Sequence, residues 1–327
     1  MGVPTPPRPH FGTSLPQASA DWPAVAEEAR RLEELGYDSL WASDHMATPS
    51  QYSVPGEGAG AVGGQAPLLE AWTLLAGVAG VTRRVELGTN CANIMFRNPA
   101  VEARQIATLD HISGGRVVPG LGSGYATSEF IAYGSPPWRQ WQRVRALSEA
   151  LDIVAPLLAG EVVTYEGRYF QVRGAVCAPP PLRCPPPLLV GGASETTLRA
   201  SARHATIWNN PPLYEPALER NLERLRGHCS EIGRDPDEIE VSQRARISIA
   251  ETHEAARAGL DEMARSVGRQ AAANVESDGI WGTPERVCER IERHLAMGCG
   301  HFVIDFYGGD RGESQELFAR RVIPELR

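Results

Sequence analysis

From residue 10 to residue 322 the chain repeats one unit: a short apolar run of strand character, a turn, then a segment of helical period. Residues 10–16, 40–43, 85–94, 116–124, 188–192, 206–209, 239–250 and 301–306 read as strands. Helical segments follow at 22–35, 67–80, 99–111, 139–158, 195–203, 216–232 and 313–322, with further helices between 250 and 301. Asp21 and Asn98 stand just before two of them, where a side-chain oxygen can accept from the unpaired amides of a first turn. Strict alternation implies a parallel sheet, because each helix returns the chain to the start of the next strand. Eight such units predict an α/β fold closed into a (β/α)8 TIM barrel rather than an open doubly wound sheet. Pro119 falls inside the fourth strand and removes a ladder donor, so a bulge or break is expected there.

No composition shift marks a domain boundary, so residues 1–327 are expected to form a single barrel domain. Insertions are expected at about 46–66, 161–187 and 267–283. The first is a Gly-, Pro- and Ser-rich loop of a length typical of lids and binding loops. The second holds a hairpin around Glu166-Gly167-Arg168 and a Pro-rich connector.

Charge and composition exclude several function classes. A formal net charge of -8 argues against a nucleic-acid partner, which calls for a basic face. No apolar run reaches membrane-span length, and the first residues lack the apolar core of a signal peptide. A cytoplasmic enzyme acting on a small molecule is the expectation, with no membrane partner. None of the six cysteines forms a C-x-x-C pair, so zinc ribbons and thioredoxin-like motifs lack support. All 32 basic residues are arginine, which excludes Schiff-base chemistry. His10, Asp44, His45, Asp110 and His111 do not converge as a metal-ligand set, and no metal is expected.

A parallel barrel keeps its chemistry at the carboxyl ends of its strands. Asp44-His45 ends the second strand, and as neighbours the two point to opposite faces. Imidazole exchanges a proton near neutral pH, so His45, with Asp44 beside it, is the catalytic candidate. The competing reading is a histidine satisfied by the backbone of a turn. Asn90-Cys91 ends the third strand. Gly120-Leu121-Gly122-Ser123-Gly124, followed by Tyr125, ends the fourth, where glycine lets a ligand approach the backbone. This is not a dinucleotide fingerprint: the third glycine comes one residue too soon, and the motif follows a late strand. Gly191-Gly192-Ala193-Ser194 opens a helix, whose free amides and dipole suit a phosphate; a plain strand-to-helix turn is the alternative. Trp208-Asn209 ends the sixth strand and is expected to face the mouth, as is Asp305-Phe306-Tyr307 at the end of the eighth. Tyr52, Arg97 and Trp281 complete the substrate-pocket candidates.

The segments 35–45 (LGYDSLWASDH), 69–90, 97–124, 165–170 (YEGRYF), 185–204 and 281–306 together resemble the bacterial luciferase-like family of flavin and deazaflavin oxidoreductases, in order and over most of the chain. They are most similar to its coenzyme F-420-dependent branch. The resemblance implies a reduced flavin or deazaflavin held at the barrel mouth. It implies that His45 acts as acid or base near the reactive ring carbon, and that a non-proline cis peptide joins Asn90 and Cys91. It further implies that the Gly191–Ser194 loop holds the cofactor phosphate, and that the protein is a homodimer. Some sugar-phosphate-oxidising relatives carry a catalytic Glu where this chain has Tyr125. With lysine missing as well, that argues against sugar-phosphate oxidation. The implied reaction is hydride transfer between coenzyme F-420, an 8-hydroxy-5-deazaflavin, and an electron-poor C=C, C=N or C=O bond. An FMN-dependent monooxygenase is the alternative, and a catalytically silent flavin-binding barrel is a third reading.

Overall fold

A computed structural model describes residues 8–47 and 67–327. Its strands are β1 (His10–Ser14), β2 (Ser39–Ala42), β3 (Glu86–Thr89), β4 (Ala92–Asn93), β5 (Val117–Val118), β6 (Gly120–Gly122), β7 (Val163–Glu166), β8 (Gln171–Ala175), β9 (Leu189–Gly191), β10 (Ile207–Asn210), β11 (Glu240–Ile249), β12 (Trp281–Gly282) and β13 (Cys299–Phe306). Its helices are α1 (Trp22–Glu34), α2 (Ala71–Val81), α3 (Pro99–Ser113), α4 (Thr127–Ala132), α5 (Gln140–Leu158), α6 (Glu195–His204), α7 (Glu215–Glu231), α8 (His253–Val267), α9 (Arg269–Asp278), α10 (Pro284–Ala296) and α11 (Arg311–Arg321). None is long and apolar enough to cross a membrane.

The third and fourth expected strands each appear in two pieces. β3 and β4 are separated by a cis peptide between Asn90 and Cys91. β5 and β6 are separated by Pro119, as its missing donor requires. Thr89 bridges the gap, its Oγ1 donating to the Gly120 carbonyl at 2.8 Å and accepting from the Gly120 amide at 3.1 Å. Neighbouring strands run in the order β4-β6-β9-β10-β11-β13-β1-β2-β3-β5, all parallel. Because β3 continues into β4 and β5 into β6, this order closes on itself as an eight-stranded barrel.

Trp41 plugs the barrel. Its indole lies against Gly12 and Gly88, where a Cβ on either would come within 2.3 Å of the ring. Val118, Leu189, Ile207 and Val303 complete this inner core. Below it, His10 stacks on His301 at 4.1 Å and meets Ser39 Oγ at 2.9 Å. With the lumen filled, a ligand can sit only above Trp41, among the loops that follow the strands.

Asp21 and Asn98 cap α1 and α3, accepting from the amides of Ala24 and Ala100. α2 starts four residues later than its period suggests. Leu69 is tied to the loop after β1 through the Gln17 carbonyl, and Glu70 takes the cap position, accepting from the Thr73 amide at 2.7 Å. The expected hairpin is the β7–β8 pair, and the Glu149 carboxylate on α5 fixes its turn by accepting from the amides of Arg168, Tyr169 and Phe170. The segment expected as an insertion at 267–283 is α9 followed by β12, which adds to the end of β11. Of the segment 46–66, residues 48–66 lie outside the described residues.

Candidate active site

Asp44 and His45 follow β2 and diverge, as adjacent residues of an extended segment do. Asp44 turns inward and is 2% exposed. It forms a bidentate ion pair with Arg97 and accepts from the Asn93 amide at 2.7 Å. Arg97 also reaches Glu70 at 2.7 Å. Arg97 is therefore part of the support beneath the site rather than a pocket wall. Fully buried Glu102 lies close enough to this cluster to feel each of its charges. Its Oε1 accepts from Trp72 Nε1 at 3.2 Å.

His45 turns the other way. Its Nδ1 lies 3.0 Å from Oε2 of Glu129, which is 1% exposed on α4. The other Glu129 oxygen accepts from the amides of Met46 and Ala47 at 2.7 and 3.1 Å. A carboxylate so held favours the imidazole tautomer protonated on Nδ1. Tyr125 meets the imidazole edge-on at 5.2 Å and is 61% exposed at the rim.

The other strand ends form a cradle with glycine walls. A Cβ on Gly191 would lie 2.4 Å from Cys91 Sγ, and one on Gly122 would lie 2.9 Å from Cys91 Cβ. Gly124 has φ +63° and faces the Asn93 side chain so closely that a Cβ would lie 2.5 Å away. Ser123 stands between these two glycines. Burial pushes the Cys91 thiol up to about 12, so it remains a neutral packing group. Asn90 is 6% exposed, and its Nδ2 has no hydrogen-bond partner among the described residues. A buried amide donor left in this way fits an acceptor on a planar heteroaromatic ring lying in the cradle.

Gly191 ends β9, and Gly192, at φ +125°, donates its amide to Asn209 O at 3.2 Å. Ser194 caps α6 through the Thr197 amide, and Ala193 leads into it. The amides of Glu195 and Thr196 in the first turn have no intrahelical acceptor, which suits an anion. Trp208 Nε1 donates to the Gly192 carbonyl at 2.8 Å, bracing this loop from behind.

Trp208 does not face the mouth. It is fully buried in the layer between sheet and helices. The register of β10 turns Ile207 and Asn209 inward, so the residue between them turns outward. Asn209 bonds Ser242 inside the barrel at 2.8 Å. Trp281 is also away from the mouth, 3% exposed in a satellite core with Tyr214, Leu260 and Met263. Tyr52 lies outside the described residues.

Sequence reasoning missed Glu129 because α4 is too short to show a period. It also passed over the Arg244-Ala245-Arg246 triplet on β11, where arginines two apart share one strand face. That face looks into the mouth. Arg244 pairs with Asp305 at 3.0 Å, and Ser14 Oγ donates to the same carboxylate at 2.5 Å. Burial alone would raise the Asp305 carboxyl, but Arg244 and Ser14 override it and hold it below its ordinary value.

Among the described residues no group of three or more His, Cys, Asp or Glu side chains could hold a metal. A cavity of about 330 Å³ lies off the barrel axis between the ends of β11 and β13 and α11. Glu251, Asp310 and Glu313 line it, a set of carboxylates that would repel an anionic cofactor.

Residues 1–299 match the family described as luciferase-like monooxygenase. The chain is 29% identical over 321 residues to a protein named F420-dependent glucose-6-phosphate dehydrogenase from Microbacterium testaceum, with 90% of each chain covered. It superposes with a TM-score of 0.79 and 22% identity on the coenzyme F420-dependent tetrahydromethanopterin reductase of Methanopyrus kandleri, covering 98% of this chain and 100% of that one. An F420-dependent secondary alcohol dehydrogenase, solved with an F420-acetone adduct, gives 0.79 at 21% identity, covering 98% and 99%. The match over residues 1–299 identifies the chain as a member of the luciferase-like monooxygenase family, an oxidoreductase on a TIM-barrel scaffold that works with a flavin or deazaflavin.

Proposed function

We propose that the protein is a coenzyme F-420-dependent oxidoreductase that transfers a hydride between the deazaflavin and an electron-poor C=C, C=N or C=O bond of a small organic substrate. The observation that carries this reading is the His45–Glu129 pair at 3.0 Å beside the glycine-walled cradle of Cys91, Gly122 and Gly191. A bound reduced deazaflavin supplies the hydride. The protein supplies position and a proton. Gly122 and Gly191 would let a planar ring lie against backbone, and Asn90 Nδ2 would be the donor to an acceptor on it. The first-turn amides of α6 hold a phosphate of the cofactor. His45, as the imidazolium, would give its Nε2 proton to the substrate atom made basic by hydride arrival; in the reverse direction the neutral imidazole would take a proton there. Glu129 would stabilise that imidazolium in either direction, and is a positioning residue. Asp44, with both oxygens engaged, likewise positions His45 through Arg97 and Asn93.

F-420 is preferred to FMN because relatives that align over at least 90% of this chain are named for it. FMN remains the second reading, favoured by the monooxygenase name of the family itself. Glucose-6-phosphate is not proposed as substrate, since Tyr125 stands where the resemblance places the catalytic Glu of some sugar-phosphate-oxidising relatives. The test is a fluorescence titration of cofactor-free protein with F-420 and with FMN. Saturable F-420 binding alone supports the reading, and FMN binding alone overturns it.

A further inference from the structure

The arginines of the mouth differ in what they already hold among the described residues. Arg244 is paired with Asp305 at 3.0 Å. Arg311 donates to the Ser14 carbonyl. Arg246, one step further along the inward face of β11, forms no ion pair and no side-chain hydrogen bond among the described residues. Its Nε is buried without a partner. Its backbone, by contrast, is fixed: the Arg246 amide donates to the Tyr214 hydroxyl at 3.0 Å, and that hydroxyl lies 3.2 Å from the Arg246 carbonyl. A guanidinium on a pinned strand, with a buried N–H left open, is an unfilled half of a charge-assisted hydrogen bond.

Its neighbours locate it. Arg244 and Arg246 both act on the Tyr125 and Tyr307 hydroxyls, and Arg244 also acts on the Cys91 thiol. Tyr125 in turn touches His45. Arg246 is also in register with Asp305 across β11 and β13, so its side chain stands at the mouth on the side of Tyr125. The α6 first turn, proposed above for the cofactor phosphate, follows β9, whereas Arg246 stands on β11 beyond β10. We propose that Arg246 is a specificity-determining residue that binds an oxyanion, a carboxylate or phosphate, carried by the substrate. This rests on the reading of the mouth as a cofactor and substrate site. It narrows the substrate to an organic anion whose reducible bond lies near its charged group, within reach of both Arg246 and His45.

The test uses inorganic phosphate and benzoate as probes. Each is titrated at constant ionic strength into cofactor-loaded protein, following cofactor fluorescence, for the wild type, Arg246→Gln and Arg246→Lys. Saturable binding by the wild type, weakened about tenfold or more in Arg246→Gln, is the expected result, since a hydrogen bond to a charged group carries that much. Arg246→Lys should fall between, keeping the charge without the fork. The affinity for F-420 or FMN should not change in either variant. No saturable probe binding, or equal binding by wild type and Arg246→Gln, overturns the proposal. Loss of cofactor affinity in Arg246→Gln without a change in probe binding also overturns it, since the arginine then holds the cofactor's own phosphate. If neither cofactor binds the wild type, the functional reading fails separately. The same titration on bare protein, read by tryptophan fluorescence, then decides the anion site by the same criteria. Circular dichroism of both variants separates loss of the site from loss of the fold.

Discussion

Glu102→Gln probes the support beneath His45. One guanidinium, Arg97, faces three carboxyl groups there, those of Asp44, Glu70 and Glu102. It pairs directly with the first two, so the third, fully buried, keeps its proton more readily. Burial is the main cause; Asp44 and Glu70 add to it and Arg97 opposes it, leaving the Glu102 carboxyl at about 7 against an ordinary 4.5. The sign follows from proton counting. Between these values the folded state binds a proton that the unfolded state has released, so stability falls as pH rises through this window. The rise from 4.5 to about 7 converts to roughly 3 kcal/mol, fully present below pH 4.5 and lost by about pH 7. Glutamine copies the neutral carboxyl and can still accept from Trp72 Nε1. Urea unfolding of wild type and Glu102→Gln across pH 4.5 to 8 gives the test, because their difference cancels every other titration. The two should be close in stability at the acid end, with the variant ahead by roughly 3 kcal/mol at the alkaline end. A difference that does not change with pH would refute the reasoning.

His10 makes the opposite prediction: burial and the nearby His301 lower it from 6.5 to about 2, so stability is lost as pH falls below 6.5. Between pH 7 and 5 the wild type should lose up to roughly 2 kcal/mol more than His10→Gln, read by chemical denaturation at each pH. Glu129→Gln should lower kcat about 10²-fold or more with little change in cofactor affinity, because the imidazole loses the anion that orients it. An unchanged kcat would remove Glu129 from the proton path. Gly191→Ala places a Cβ 2.4 Å from Cys91 Sγ and should cost about 1–3 kcal/mol together with cofactor affinity. Adding Cys91→Ala should recover part of both, and a strictly additive double variant would contradict the steric account.

The barrel was legible because its signals are local. Apolar runs, Asp21 and Asn98 as caps, and Pro119 as a strand breaker each act within a few residues, and the structure follows them. The start of α2 was misjudged because Gln17, fifty-two residues away, holds Leu69 extended. Strand-end reasoning put Asp44 and His45 where β2 ends but not their partners beside them. Arg97 and Glu129 come to them across 53 and 84 residues, and no spacing rule links such positions. Trp208 shows a different failure. The end of a strand identifies the layer in which a residue lies, but only the register decides whether it turns to the mouth or to the helices.

That distinction also explains why the cradle was easier to read than the substrate pocket. A planar cofactor needs backbone exposed, and glycine declares this in the sequence: Gly122, Gly124 and Gly191 are required where Cys91 and Asn93 approach too closely for any Cβ. A substrate is recognised by side chains whose meaning depends on what they already touch. Arg97, Arg244 and Arg246 are the same residue type in the sequence. The first is absorbed by Asp44 and Glu70, the second by Asp305, and the third meets no carboxylate among the described residues. Of these three, only Arg246 is then left to face a ligand, and specificity in this barrel is therefore a matter of which charges the fold leaves unpaired.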